Sequence, residues 1–238
     1  MKKTTLSYRY LDVIIALYTA VLITSNIASS AKIIDLNFAI FGLQLAFDGG
    51  TLIFPLAYVM GDLLTEVYGF KIARRAIWTG FIALSLSAFI LFLLSVLPGE
   101  QAWESYAGSA AYDAILGGMS TGGIVIASLA AYLTGNFFNS AILSRMKIMT
   151  KGKFLWMRTI GSSVIGELLD SFIFISIACL AGVFPWELFL MLSVTNFILK
   201  LGIEILATPF CYLSVIKLKK AEGIDVYDRD IKYNPFGF

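Results

Sequence analysis

Three pairs of ionisable side chains stand at helical spacing inside long apolar segments of this sequence. The pairs are Asp62 with Glu66, Glu167 with Asp170, and Lys200 with Glu204. Residues three or four apart share one face of a helix, so the two members of each pair point the same way. A carboxylate facing lipid is costly, and acids within membrane helices nearly always face a bundle interior or a wet cavity. The pattern therefore predicts a buried polar site between helices.

Four asparagines inside apolar segments add both donors and acceptors to this set. Carboxylate and amide groups held in a fixed plane suit the edge of a flat, nucleobase-like ring. The predicted substrate-binding residues are Asn26, Asp62, Asn136, Asn139, Glu167, Asp170, Asn196 and Lys200. The predicted gating or coupling residues are Glu66, Glu204 and Arg74. A single asparagine in a membrane helix is more often a hydrogen-bonding contact between helices, which is the competing interpretation for each amide.

Aromatic side chains near these positions are candidates for stacking on such a ring. They are Tyr58, Phe137, Phe138, Phe172 and Phe197. Ordinary packing, or a place on the lipid-facing surface, is the alternative interpretation for each of them.

The composition is that of a membrane protein that crosses the bilayer several times. Of 238 residues, 58% are hydrophobic and only 14% are charged, and the mean hydropathy is +0.82. The sequence has no histidine, which excludes imidazole catalysis and histidine-ligated metal. Its two cysteines lie in apolar runs and indicate no disulfide framework. No metal, cofactor or nucleic-acid partner is expected, and the lipid bilayer is the expected surrounding.

Six membrane-spanning helices are predicted in one domain covering 1–238. Their ranges are 10–34, 50–68, 73–97, 121–143, 157–183 and 186–216. Lysine and arginine cluster before the first helix, in every second connection and after the sixth helix, so both termini are predicted to be cytoplasmic. The segment 35–49 is expected to form a small external hairpin or re-entrant piece, and 98–120 an external loop. The segment 217–238 is expected to be a cytoplasmic tail, of which 221–238 is a short solvated segment.

The two halves of the chain resemble each other. Asn26 aligns with Asn136 at an offset of 110 residues, and Asp62 aligns with Glu167 at an offset of 105. Three helices per repeat is an odd number, so the second repeat (about 121–216) must enter the membrane inverted relative to the first (about 10–97). Inverted repeats are typical of transporters whose substrate binds near the bilayer midplane. The fold class is therefore an all-α membrane protein of two inverted three-helix repeats.

The stretch 54–74 carries the pattern FP-x₂-Y-x₃-D-x₃-E-x-YG-x₃-AR, and SNIASSAKII precedes it. With these motifs the chain resembles the queuosine precursor transporter family, grouped with the vitamin uptake transporters. The resemblance covers about 26–216. It implies uptake of 7-cyano-7-deazaguanine and 7-aminomethyl-7-deazaguanine across the inner membrane of a bacterium or archaeon. We expect a secondary carrier that works by alternating access.

Two other functions remain open at this stage. One is a substrate-binding membrane subunit of an ATP-driven vitamin uptake complex, because the chain has no phosphate-binding loop of its own. The other, an intramembrane enzyme with a carboxylate pair, lacks the GxGD signature of such proteases and is less favoured. A homodimer is compatible with the small-residue stretch 117–123, which is expected to be exposed.

Overall fold

The computed structural model describes residues 8–40, 43–120 and 122–237, and these residues fold mainly as helices. The helices are α1 (Leu11–Ala31), α2 (Phe54–Tyr68), α3 (Phe70–Val96), α4 (Gln101–Tyr106), α5 (Gly108–Ser120), α6 (Gly122–Met149), α7 (Leu155–Leu180) and α8 (Phe189–Glu222). Strands β1 (Ile33–Ile40) and β2 (Leu43–Asp48) lie between α1 and α2. Short 3₁₀ turns, Gly49–Leu52 and Trp186–Leu188, precede α2 and α8.

Five helical stretches in the described part of the chain are long and apolar enough to cross a membrane. They include α1, α3, α7, the run from α5 into α6, and α8 with the turn before it. The second predicted helix does not meet this standard, because α2 has only 15 residues. At about 1.5 Å per residue it is about 22 Å long, shorter than the hydrocarbon core of about 30 Å. Helix α2 is therefore shorter than the predicted range 50–68, and a sixth membrane crossing stays a prediction.

Helix α2 is short because its neighbours, rather than lipid, surround it. It packs against α1, α3, α6 and α8. Most of its residues are buried, including Tyr58, Asp62 and Glu66. It ends at Gly69, whose φ of 86° is a conformation that glycine adopts without strain. The sharp turn there sends the chain directly into α3.

The segment after α1 is an antiparallel β-hairpin rather than a re-entrant piece. Ile33 pairs with Asp48 and Ile40 pairs with Leu43. The backbone N–H of Gly49 then donates to the carbonyl of Lys32 at 2.8 Å, which closes the base of the hairpin at the end of α1. The hairpin thus returns the chain to the end of α1 before α2 begins.

The connection 98–120, expected to be an external loop, contains two helices. Helix α5 packs against α1 and α3. A side chain at Gly118 would meet the Ser30 hydroxyl at 2.8 Å, and one at Gly123 would meet the Ala181 side chain at 2.7 Å. These small residues allow helices of the same chain to approach closely. Gly118 and Gly123 therefore serve helix contacts within the chain, and the homodimer stays a prediction.

The carboxyl-terminal tail docks against the helices, and the expectation of a solvated tail was also wrong. Asp228 is buried, and it accepts a hydrogen bond from the Phe70 N–H at 2.8 Å and another from the Ser144 hydroxyl at 2.6 Å. Its carboxylate therefore caps the start of α3, where unpaired N–H groups favour an anion. Further along the tail, the Asn234 carbonyl accepts from Arg74 at 2.7 Å.

The segments predicted to be cytoplasmic meet at one end of the molecule. Glu222, at the end of α8, accepts from the backbone N–H groups of Arg9 and Tyr10 at 2.9 and 2.8 Å, just before α1. The Val226 N–H donates to the Val67 carbonyl, near the α2–α3 turn. The start of α1, the α2–α3 turn, the end of α6 and the tail therefore share one end, which we call the tail end.

Candidate functional site

A close crossing of α6 and α7 positions the candidate residues. A side chain added at Gly135 would lie 2.6 Å from the Tyr58 hydroxyl and 2.9 Å from the Gly166 carbonyl. One at Gly166 would lie 2.8 Å from Cβ of Asn139. Two glycines facing each other let membrane helices come together at backbone distance. The crossing brings Asn139, one turn past Gly135, against Gly166, which directly precedes Glu167.

A chain of polar groups joins α2, α6, α7 and α8 across this crossing. The Asn139 amide donates to the Asp62 carboxylate at 2.7 Å. The Ser163 hydroxyl lies 3.4 Å from the Asn139 side-chain oxygen and donates to the Glu204 carboxylate. Asp62, Asn139 and Ser163 are all buried, with at most 1% of their surface exposed. We call Asp62, Asn139, Ser163, Glu167, Asp170, Lys200 and Glu204 the acid cluster.

Glu167 is the most enclosed member of the acid cluster. Its exposed fraction is 0%, and neither carboxylate oxygen meets a donor within the described part of the chain. The Glu204 carboxyl group lies within hydrogen-bond reach of Glu167 and has one oxygen without a donor among the described residues. Two buried acids thus face each other in the middle of the bundle.

The cation of the acid cluster is Lys200. Its ammonium group donates to Asp170 at 2.5 Å and lies 4.4 Å above the centre of the Phe54 ring. Lys200 is 13% exposed and Asp170 is 4% exposed in their side chains. The ion pair and the ring face together hold the ammonium group in place. The cluster therefore contains four carboxyl groups and one lysine.

Tyr58 lines the acid cluster and was recognised from the sequence only as an aromatic side chain. Its hydroxyl is buried and has no hydrogen-bond partner among the described residues. Ser163 was not predicted at all, although its position one turn before Glu167 would have placed it on the same helix face. Serines recur in this helix, so the residue type alone gave little signal.

Glu66 forms a separate group at the tail end, although it lies one turn from Asp62. One of its carboxylate oxygens lies 2.8 Å from Arg158, 2.7 Å from Lys219 and 3.6 Å from Lys147. The Lys147 ammonium group also donates to the Glu66 backbone carbonyl at 2.6 Å. We call Glu66, Lys147, Arg158, Lys219 and Asp225 the cation cluster. A cleft of about 420 Å³ opens beside it, between the start of α7 and the end of α8.

The tail supplies the second acid of the cation cluster. Asp225 lies 2.6 Å from Lys147 and 2.9 Å from Lys219, and 42% of its side chain is exposed. Partial burial by itself raises the pKa of Asp225, but the hydrogen bonds and charges of the two lysines outweigh it and lower the pKa. Asp225 is therefore ionised over the whole physiological pH range.

The remaining predicted residues lie outside the acid cluster or at its edge. Asn136 is buried, but its amide donates to the carbonyl of Tyr132 and its oxygen lies 3.3 Å from the Tyr18 hydroxyl. Asn26 is half-buried and donates to the Leu22 carbonyl of its own helix. Asn196 is half-buried on α8, one turn before Lys200. Arg74 contacts the tail, as described above.

The aromatic candidates also separate into two groups. Phe138 and Phe172 are 51% and 53% exposed and point away from the bundle, as lipid-facing side chains do. Phe137 packs against Trp78 at 6.0 Å between ring centres, on the side of α3. Of these three phenylalanines and Tyr58, it is Tyr58 that lies directly against the acid cluster. Lipid contact and packing thus explain the other three.

Comparison with known proteins places the chain in a family. A family model described as "Putative vitamin uptake transporter" matches residues 48–214, which is most of the chain and includes the whole acid cluster. The chain belongs to this family. It is thus a transporter rather than an enzyme, and its apolar helices make it a multi-pass membrane protein. No solved structure matches the chain.

Curated relatives carry a more specific name. A protein of Bacillus subtilis (strain 168) named "Probable queuosine precursor transporter" is 28% identical over 174 residues, 73% of this chain and 72% of the relative. One of Haemophilus influenzae with the same name is 27% identical, over 66% of this chain and 63% of the relative. The "Queuosine precursor transporter" of Escherichia coli (strain K12) is 24% identical, over 64% and 63% respectively.

Proposed function

We propose that this protein carries queuosine precursors, 7-cyano-7-deazaguanine and 7-aminomethyl-7-deazaguanine, across the cytoplasmic membrane into the cell by alternating access. The observation that supports it most is the acid cluster. Acid and amide groups from four helices meet there, and the oxygens of Glu167 have no donor among the residues that the structure describes. The names of the curated relatives give the substrate class.

The unpaired groups match the edge of a guanine-like ring. Such an edge presents two adjacent N–H groups, which suit the two free oxygens of the Glu167 carboxylate. The ring carbonyl, next to these N–H groups, is an acceptor for Lys200 or for the amide of Asn139. The Tyr58 hydroxyl is a further free hydrogen-bonding group on the opposite wall. Asp62 and Asp170 then hold the amide and the ammonium group in position.

The other predicted residues have supporting places in this proposal. Asn196, one turn before Lys200, contacts the substituent of the ring once the site opens. Asn136 and Asn26 lie near the wall that α1 and α6 form around Tyr18. Substrate cannot enter while Asp62 and Glu167 are at most 1% exposed, so the described conformation is a closed one.

Six membrane crossings and two inverted repeats fit this proposal. The 3₁₀ turn before α2 adds four residues, or about 8 Å, to the 22 Å of that helix, so that 49–68 together reach about 30 Å. Gly50 within this turn contacts Ser25 inside α1, not at its end. The matched residues Asp62 and Glu167 both belong to the acid cluster. Both termini are cytoplasmic in this arrangement, at the tail end.

The cation cluster and the tail form the cytoplasmic gate in this proposal. Glu66 on α2 is tied to Lys147 on α6, Arg158 on α7 and Lys219 on α8. Arg74 and Asp228 tie the tail to α3. These bonds bridge the first and second halves of the chain at one end. These bonds must separate before the acid cluster opens to the cytoplasm. Glu204 couples the acid cluster to that movement.

Reconstitution of the purified chain into liposomes tests the transport function. We expect uptake of labelled 7-cyano-7-deazaguanine without any added ATPase, which also distinguishes a carrier from a subunit of an ATP-driven complex. Guanine competes because it presents the same edge, and adenine does not. Failure of the purified chain to take up the base would contradict the proposal.

A matched pair of variants tests the role of Glu167. Hydrogen bonds to a charged group contribute about 1.5–3 kcal/mol, so Glu167→Gln is expected to reduce uptake about 10- to 100-fold. Glu187→Gln makes the same chemical change at an exposed residue before α8 and serves as the control. Thermal unfolding in detergent shows that both variants fold. Undiminished uptake by folded Glu167→Gln would contradict the proposed role.

A further inference from the structure

The acid cluster contains more negative groups than its cation can balance. Asp62, Glu167, Asp170 and Glu204 are all at most 3% exposed, and Lys200 pairs with Asp170. Among the other cations of the described residues near α2, Lys147, Arg158 and Lys219 bind Glu66. Buried Arg74 contacts the tail. Three carboxyl groups are thus left in a space that excludes water. Buried uncompensated charge of that amount is far too costly for a closed state.

The positions of Glu167 and Glu204 show where one proton reduces this excess. The two carboxyl groups lie within hydrogen-bond reach of each other, and both oxygens of Glu167 lack any other donor. A hydrogen bond between two carboxyl groups requires a proton on one of them. Two ionised carboxylates at this distance would repel each other strongly.

Ser163 leaves one oxygen of Glu204 free to share the proton. The Ser163 hydroxyl donates to the other oxygen of Glu204. The proton therefore lies between the free oxygen of Glu204 and Glu167, and either carboxyl group is able to carry it. When the N–H groups of a substrate bind the Glu167 oxygens, the proton stays on Glu204. Proton and substrate are therefore able to occupy the pair at the same time.

Lys200 is the cation, and the Tyr58 hydroxyl a neutral donor, among the described residues around the pair. From α2, Tyr58 and Asp62 face it; from α6, the Asn139 amide is already bonded to Asp62. From α7, Asp170 pairs with Lys200 of α8. Helix α8 also places Cys211 near Glu204. Charge balance around the pair therefore depends on protonation of the acids themselves.

We propose that the Glu167–Glu204 pair binds the coupling proton and that the protein is a proton symporter. This rests on the proposed transport function and adds its energy source. Glu204 takes a proton from the outer side as the base binds to Glu167, and both leave on the cytoplasmic side. The cycle forms and breaks only O–H bonds, between Glu204 and water. Without the proton, repulsion between the two carboxylates prevents closure.

The test uses two measurements on the same proteoliposomes. Exchange of labelled for unlabelled 7-cyano-7-deazaguanine at equal pH measures transport alone. Accumulation driven by an acid exterior, with the membrane potential clamped by potassium and valinomycin, measures coupling. One proton per base predicts about tenfold accumulation for a difference of one pH unit. A sodium gradient at equal pH is expected to give none.

The outcomes separate the two proposals. Exchange without accumulation, or accumulation driven by sodium, overturns the proton site and leaves the transport function standing. Absence of exchange overturns both. In Glu204→Gln, the ratio of pH-driven accumulation to exchange is expected to fall about tenfold, because an amide holds no titrating proton. Glu204→Asp is expected to restore the ratio, and Glu187→Gln to leave it unchanged. A normal ratio in Glu204→Gln contradicts the assignment.

Discussion

Asp62 and Glu66 lie one turn apart on α2, yet the structure surrounds their carboxyl groups in opposite ways. Glu66 is within 3.6 Å of three cations. Asp62 accepts a hydrogen bond from an amide, and its nearest charged neighbours are other acids. Both residues are fully buried. Burial of an acid therefore does not reveal its role. The cations around it distinguish a structural ion pair, as at Glu66, from a site that awaits a ligand, as at Asp62.

The largest effect is expected from a substitution that breaks the cation cluster. Glu66→Gln leaves Arg158 buried without its carboxylate, and removal of one partner from a buried ion pair costs about 3–5 kcal/mol. We expect a marked fall in the thermal unfolding temperature in detergent and poor recovery of folded protein. Asp62→Asn is the matched variant one turn away. It removes a negative charge from an acid-rich site, so its stability is expected to stay within about 1 kcal/mol of the wild type while uptake falls.

Equal destabilisation by Glu66→Gln and Asp62→Asn would show that the two carboxyl groups do not differ in this way. A stable Glu66→Gln protein with normal uptake would remove the proposed gate. Arg75→Gln, at an exposed position on α3, controls for loss of a charge near the tail end.

A smaller effect is expected from the helix crossing that holds the acid cluster together. Gly135→Ala places a methyl group 2.6 Å from the Tyr58 hydroxyl and 2.9 Å from the Gly166 carbonyl, so α6 and α7 must move apart. Overpacking of this kind costs about 1–3 kcal/mol. We expect base affinity to fall as well, because Asn139 moves with α6.

Gly202→Ala is the control for the glycine prediction. A side chain at Gly202 meets nothing within 4 Å, and alanine favours the helix. Stability and base affinity are both expected to remain at the wild-type level or slightly above it. If Gly135→Ala behaves in the same way, close contact at the crossing does not position the acid cluster.

The smallest effect concerns the pH dependence of tail docking. The lysines of the cation cluster lower the pKa of Asp225 below its ordinary value of 3.8, despite the opposing effect of burial. A group with a lowered pKa in the folded state contributes stability above its unfolded pKa and loses it as the pH falls through the folded value. Docking is therefore expected to be constant from neutral pH to about pH 4 and to weaken only below it.

A fluorophore on an introduced cysteine, Ile231→Cys, reports tail release through its access to iodide. Asp225→Asn is expected to weaken docking at neutral pH and to remove the acid-dependent step. Release of the wild-type tail near pH 6 would contradict the assignment, because it would place the titrating group elsewhere.

The sequence predicted the helices with the clearest apolar runs and the convergence of several acids, because membrane burial leaves strong signals. A long apolar run must be helical in lipid, and an acid within it must face inward. The pairing of Asp170 with Lys200 joins two of the predicted residues. The shortness of α2 escaped prediction because an apolar residue facing protein is indistinguishable from one facing lipid.

Docking of the tail and the position of Glu66 escaped prediction for a related reason. Asp225 and Asp228 lie in a polar segment, where local sequence indicates solvent. Only the distant side chains of Lys147 and Ser144 give these acids partners. Ser163 was overlooked because a serine in a membrane helix bonds most often to its own backbone, as Ser176 does at 2.6 Å.

By itself, the sequence determined that this protein lies in a membrane, that acids and amides enter the bundle, and that basic residues gather at one end. Hydropathy and helical spacing decide these features locally. The tertiary structure alone decided which acid meets which partner: Glu66 meets three cations, and Glu167 meets another acid. Partner choice depends on contacts between residues about 80 to 150 positions apart, such as Glu66 with Lys147 and Lys219, which no local pattern records.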